Sequence, residues 1–390
     1  MLRLLLMLLS LFIFVATKAQ ENYQLYRTKG KLPAMSYSLG ADRLGSAKMN
    51  FIDTNVLIKV IDSTDKSYIV QLSKNHTAYI DKAFTTIDTI TQPKNFYLSN
   101  FWIAKGIVDS FDIVNIQLEE KLPYKIWMET NPNKIMLQLF GVKSNTNWIN
   151  QLTNTKVIKN IYYNQTEDDV ITATIELKGK YHWGFSASYN QSNALEIKIK
   201  RPPPKADLKN IVIAIDAGHG GSNEGTKNKK GNIVEKNYTL LFAKALEKIL
   251  LKQGAKVIMT RTNDTTFDNK DRVLFLQQQS PHLLISLHLN SASNTDIKGV
   301  STYYKYIGFK PLSVNILNRM LELSLNEFGN IGYFNFTLNA ITDFPNCLVE
   351  IAFVSNAEDE EKIISPKFQQ QVANKIYLGI KDFLSGIKEN

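Results

Sequence analysis

The sequence predicts a multidomain protein, with an amino-terminal all-β region followed by an α/β domain whose mostly parallel sheet is flanked by helices. Three observations predict it. Residues 20 to 200 carry short runs of β-branched and aromatic residues, broken by polar turns at the spacing of antiparallel strands. From residue 208 onward, apolar strand-like runs alternate with amphipathic helical stretches. Between the two lies Arg201-Pro202-Pro203-Pro204-Lys205, a stiff basic stretch that reads as a linker over 201–207.

The first 19 residues have the form of a secretory signal peptide. Arg3 supplies the positive start, Leu4 to Val15 a short apolar core, and Thr17-Lys18-Ala19 the small residues of a cleavage site. The apolar run is short for a membrane span, and no later stretch has the length and apolarity to cross a bilayer. Cys347 is the only cysteine, so no intramolecular disulfide can form, and the domains must hold by their cores. These features suit a secreted, periplasmic or envelope protein. The 46 Lys+Arg outnumber the 36 Asp+Glu, for a formal charge of +10, which reads as a solvated basic surface or as attraction to a polyanionic envelope. No basic block is interleaved with aromatics as in a nucleic-acid module, so nucleic acid is not an expected partner.

In chain order, residues 20–91 contain Val56–Ile61, Tyr68–Leu72 and His76–Ile80, three strand candidates separated by turns. They resemble a small bacterial Src-homology-3-like barrel. Residues 92–200 contain Ile113–Leu118, Lys134–Leu139, Val170–Ile175 and Ala194–Ile199, the last two alternating as half-buried strands do. This order resembles the β-sandwich targeting domain called AMIN. His76 and His182 fall in these β regions and read as surface or packing residues.

In 208–390, the apolar run Ile211–Ile215 is a strand leading to a helix over 235–253. Leu241, Ala245 and Ile249 are its expected inner face, and Gly254 its close. A strand over 256–260, a helix near 269–279, and strands over 283–288 and 299–305 follow. A helix around 312–328, a strand over 347–353 and a last helix near 366–384 complete the pattern. In such sheets the site lies at the carboxyl ends of the strands.

Four residues there carry chemistry. His219 follows Asp216-Ala217-Gly218, Glu235 opens the first helix, and His288 ends the run LLISLHLN. Two imidazoles and a carboxylate, with a position left for water, are the donor set of a catalytic zinc site. Glu350 lies inside the apolar strand Leu348–Phe353, where a charge is costly unless paired or functional. Beside activated water it can act as general base and then acid. His282, ahead of its strand, reads as a surface residue, and Cys347 as a packed thiol. Glu224, Asp264 and the run Glu358–Glu361 read as solvated faces or helix starts.

At these residues the chain resembles the zinc-dependent N-acetylmuramoyl-L-alanine amidases of the type-3 amidase family. The matching stretches are Asp216-Ala217-Gly218-His219-Gly220-Gly221, Glu235-Lys236-Asn237, Thr260-Arg261, Ser286–Asn290 and Leu348–Asn356. The resemblance implies that His219, Glu235 and His288 hold one zinc ion (Zn2+) and that Glu350 is catalytic. It implies hydrolysis of the amide between the lactyl group of N-acetylmuramic acid and L-alanine, with peptidoglycan as substrate and an envelope activator protein as a partner. Ala217 departs from the proline usual there. Only about 60 residues separate His288 from Glu350, which leaves little room for the inhibitory helix that some members insert. Two rivals stand beside this reading: another secreted zinc amide hydrolase, against which the lack of a His-Glu-x-x-His helix counts, and a non-catalytic wall-binding relative.

Overall fold

The structure, a computed structural model, describes residues 23–39, 48–107, 110–145, 148–205 and 207–387. The expected signal peptide lies outside the described residues. Among them, no helix is long and apolar enough to cross a membrane.

The amino-terminal region is all β. Seven strands between Gln24 and Ile87 form one antiparallel sheet. Residues 97–200 form two further sheets. A four-stranded one holds Tyr124–Glu129, Lys134–Phe140, Ile158–Glu167 and Val170–Leu177. A six-stranded one is centred on Tyr97–Gly106, Phe111–Leu118 and Ala194–Lys200. Alternation dictates this stacking. In Tyr124–Glu129 every second residue is buried, leaving Lys125, Trp127 and Glu129 on the outer face. One continuous core joins these sheets and extends to Tyr306 and Phe309 of the second half.

In that second half the strands are β1 (Val212–Ala217), β2 (Lys256–Met259), β3 (Leu283–Asn290), β4 (Val300–Tyr303), β5 (Glu327–Ile331) and β6 (Asn346–Phe353). The helices are α1 (Glu235–Lys252), α2 (Asn269–Gln279), α3 (Lys310–Leu321), α4 (Ala357–Ile364) and α5 (Pro366–Ile387). The sheet order is β2-β1-β3-β6-β4-β5. All pairings are parallel except β4 with β6. Alternate residues of β1, β3 and β6, such as Ile213, Ile285 and Val349, face the core under α1, α3 and α5. Asp216, Ser286, His288 and Glu350 occupy the intervening positions.

Several expectations need correcting. The helix placed around 312–328 stops at Leu321, because Ser324 turns left-handed (φ 55°) and the backbone from Glu327 gains a parallel partner in β4. The inner face of α1 is Phe242, Ala243, Leu246 and Leu250 with Ala245, whereas Leu241 is exposed. His282 is half-buried, and its Nδ1 accepts the Val212 amide at 3.0 Å, extending the β1 edge. The Glu358–Glu361 run belongs to α4, and its Asp359 is buried, accepting from the amides of Gly299 and Phe353.

The stretch 201–207 does not hold the two halves apart. Arg201 is fixed at its start by the fully buried Asp112, 2.8 Å away. Trp183 stacks on Phe383 of α5 with the rings nearly parallel, and the Phe185 amide donates to the Thr342 carbonyl at 2.8 Å. Buried Lys200 and Lys305 cross the boundary in opposite directions, donating to the carbonyls of Pro281 and Lys48 at 2.6 and 2.7 Å. His182 packs in the same seam, bonded to the Glu129 carbonyl, while His76 is half-exposed beside Glu167.

Candidate functional site

The site forms where β1 and β3 end and α1 begins. Asp216 closes β1, and the turn that follows places His219 in a left-handed conformation (φ 62°). The glycines on either side of the cluster are required by contact. A Cβ on Gly218 would lie 2.4 Å from the His288 ring, and one on Gly225 would lie 2.4 Å from Glu235 Oε2.

The donor atoms of His219, Glu235 and His288 lie within 4.8 Å of one another. Glu235 Oε1 is 3.1 Å from His219 Nε2 and 3.0 Å from His288 Nδ1. Its carboxylate also accepts from the amides of Leu289 and Thr226 at 3.0 and 2.8 Å. Burial alone would raise the Glu235 carboxyl, but the bonds from both imidazoles hold it well below the usual carboxylate range. His219 Nδ1 meets Asn223 Oδ1 at 2.8 Å, which fixes the ring so that Nε2 faces the cluster. Three such donors converging around one point have the chemistry of a divalent metal site, and nitrogen with carboxylate oxygen suits zinc.

Glu350 is next to His288 in the β3–β6 register, and next to Ser301 on β4. In-register neighbours share a face, so the Glu350 carboxylate stands beside the His288 imidazole. Glu350 is buried, and its charge helps to raise the Tyr303 phenol, after burial itself. Cys347 faces the opposite core, where burial pushes its thiol up. All four residues singled out from the sequence therefore meet where β1 and β3 end, α1 begins and β6 runs beside β3.

The frame beneath them was missed by sequence reasoning. Asp216 is buried and accepts from Arg272, Thr260 and Ser286 at 2.6, 2.7 and 2.6 Å. Burial would raise its carboxyl, but Arg272 and the two hydroxyls bring it below the ordinary value. Arg272 also donates to the carbonyls of Ala217 and His219. Arg261 donates to those of Ala217, Gly218 and Lys236. The carbonyls of Ala217, Gly218 and His219 are thus each held by a buried guanidinium, while that of Gly221 accepts from the Lys236 ammonium. Asp264 is exposed, as expected, and it also clamps the same turn by accepting the Gly221 amide at 2.7 Å while bonded to Lys236. The available signal was the carboxylate ending an apolar strand, since a charge there demands a buried partner.

Comparison with known proteins covers the half of the chain that holds these residues. Residues 213–382 match the family model described as N-acetylmuramoyl-L-alanine amidase. A probable cell wall amidase, LytH, of Staphylococcus epidermidis is 32% identical over 179 residues, 46% of this chain and 60% of that protein. The chain therefore spans well under two thirds of that relative's length. The germination-specific N-acetylmuramoyl-L-alanine amidase of Bacillus subtilis is 31% identical over 197 residues, covering 46% of this chain and 81% of that enzyme. A solved N-acetylmuramoyl-L-alanine amidase of Clostridium difficile 630 shares 32% identity over 45% of this chain and 97% of its own, with a TM-score of 0.44. With four fifths of the Bacillus enzyme matched at this identity, the chain belongs to the type-3 N-acetylmuramoyl-L-alanine amidase family.

Proposed function

We propose that this protein hydrolyses the amide joining the lactyl group of N-acetylmuramic acid to L-alanine of the peptidoglycan stem peptide, in cell-wall turnover or daughter-cell separation. The observation that carries the reading is the convergence of His219, Glu235 and His288 with Glu350 in register beside them.

His219, Glu235 and His288 would hold one zinc ion, which when bound supplies Lewis-acid polarisation of the scissile carbonyl. The rest falls to the chain's own side chains. Glu350 takes a proton from the attacking water and returns it to the departing alanine nitrogen. Asn223 keeps the His219 ring oriented. The Asp216–Arg272–Arg261 frame keeps the turn from moving as charge develops, so little reorganisation accompanies the reaction.

The seven-stranded unit, of Src-homology-3-like kind, and the AMIN-like sandwich would bring the enzyme to the wall. The leader over 1–19 would direct it to the periplasm or cell envelope, where an activator protein is a further partner. The domain limits proposed are 20–91, 92–200 and 208–390, joined by 201–207.

Purified full-length protein incubated with sacculi, with and without chelator, tests this reading. The expected result is free stem peptide, intact glycan strands, about one zinc per chain, and loss of turnover on chelation. Cleavage of glycan or cross-links, or turnover that survives metal removal, would overturn it.

A further inference from the structure

A second concave feature lies outside the residues that position the candidate centre. It is a groove of about 610 Å³ at the meeting of all three units. The seven-stranded unit supplies Tyr37, the sandwich supplies Lys125 and Trp127, and the second half supplies Lys305, Tyr306 and Tyr333.

Its surface has a particular chemistry. Trp127 stands on the outer face of its strand with the Lys125 ammonium 4.5 Å from its ring centre, and the same ammonium lies 5.3 Å from Tyr37. Tyr333 is 73% exposed and is held there in a left-handed conformation (φ 57°), an unusual backbone for an aromatic residue. Tyr306 is buried in the groove wall, and among the described residues its hydroxyl has no hydrogen-bond partner. Buried hydroxyls are ordinarily satisfied, so this one marks a place for a ligand's polar group.

The groove is also placed beside the candidate centre. In the segment 333–336, Phe334 and Phe336 pack on Tyr303, which senses the Glu350 charge, while Tyr333 and Asn335 line the groove. A single chain segment thus separates the groove from the neighbourhood of Glu350.

We propose that this groove is a polymer subsite that binds the glycan strand flanking the unit being cleaved. The proposal rests on the amidase reading and extends it to the length of substrate recognised. Sugar rings present a face of C–H bonds that stacks on aromatic rings, and the half-buried Trp127 and the exposed Tyr333 bring two such rings to the groove. Carboxylates on the stem peptides match the Lys125 ammonium, and a sugar hydroxyl or acetamido group matches Tyr306. A purely apolar partner would leave the Tyr306 hydroxyl unsatisfied and would offer nothing to the Lys125 ammonium.

The test uses the full-length chain carrying Glu350→Gln, so that strands are bound and not consumed. The probes are soluble glycan strands several disaccharides long, released by cutting peptide cross-links, and a single disaccharide-peptide for comparison. The parent is expected to hold the long strand more tightly than the short unit. Trp127→Ala and Tyr333→Ala should each weaken long-strand binding by about tenfold, the loss expected of an anchoring aromatic. Trp127→Phe should restore most of it, which a merely structural role would not. If Trp127→Ala fails to fold, Tyr333→Ala decides, since that ring is exposed. Equal binding by parent and variants, no preference for length, or equal displacement by polyglutamate would overturn the proposal. Because binding is read without turnover, a failure of the amidase reading would show separately, in the sacculus digestion.

Discussion

Two sets of buried cations sit in this molecule, and they are treated differently. Beneath the candidate centre, Arg272 pairs with the buried Asp216, and it and Arg261 spread their other donors over consecutive backbone carbonyls. At the seam between the halves, Lys200 and Lys305 are also buried, yet the bonds they make are to carbonyls of the opposite half. Burial pulls Lys200 down to about 8 and, reinforced by Lys48, pulls Lys305 down to about 7. A guanidinium with a matched acid keeps its charge throughout the physiological range and makes a rigid frame. An ammonium solvated by carbonyls alone makes a seam whose stability follows pH.

The largest effect should come where rigidity and chemistry can be separated. Glu350→Gln keeps the shape of the side chain but cannot accept a proton. Turnover on sacculi should fall by roughly 10²- to 10⁴-fold while melting temperature and metal content stay at parental values. A variant within a few-fold of the parent would break the assignment of Glu350.

Next in size is the frame itself. Arg272→Met removes the partner of a buried carboxylate and should cost about 3–5 kcal/mol in urea denaturation. If the loss were below about 1 kcal/mol, typical of an exposed pair, the frame would not differ from ordinary surface charge.

The seam should show the smaller, pH-dependent effect. A lysine whose folded pKa is depressed binds fewer protons folded than unfolded, so stability rises with pH between the two values. For Lys305 and Lys200 the window opens near 7 and 8 and extends toward the ordinary lysine value. Stability should gain on the order of 2 kcal/mol between neutral pH and mildly alkaline pH, and the gain should vanish in Lys305→Met/Lys200→Met. Identical pH profiles for parent and double variant would erase the contrast between seam and frame.

How much of this was legible in the sequence follows from the range of the interactions. The strands ending in Asp216 and His288 and the helix opening at Glu235 were readable because each is specified by neighbours a few residues away. The four candidate residues followed from donor chemistry and from a run of short motifs. Arg272 was not readable, since what gives it meaning is Asp216, 56 residues earlier in the chain. The edge strand at Glu327 went unseen for a similar reason, because only pairing with β4 turns that stretch from helix to strand. The three prolines stand between the all-β elements and the alternating strands and helices. They carry no information about Trp183 and Phe383, which lie far to either side and close the gap the prolines suggested.

That closed seam bears on reach. An enzyme on a loose tether samples a sphere whose radius grows with tether length. Here the stacked Trp183–Phe383 pair and the crossing lysines make the β region and the candidate centre one body. The offset between any point where the β region would grip a surface and the place where Glu350 would act is then a constant of the molecule. Such a body works as a fixed gauge rather than a leash: held at one spot on a covalent mesh, it addresses bonds at one distance and one angle, and must let go to reach the next.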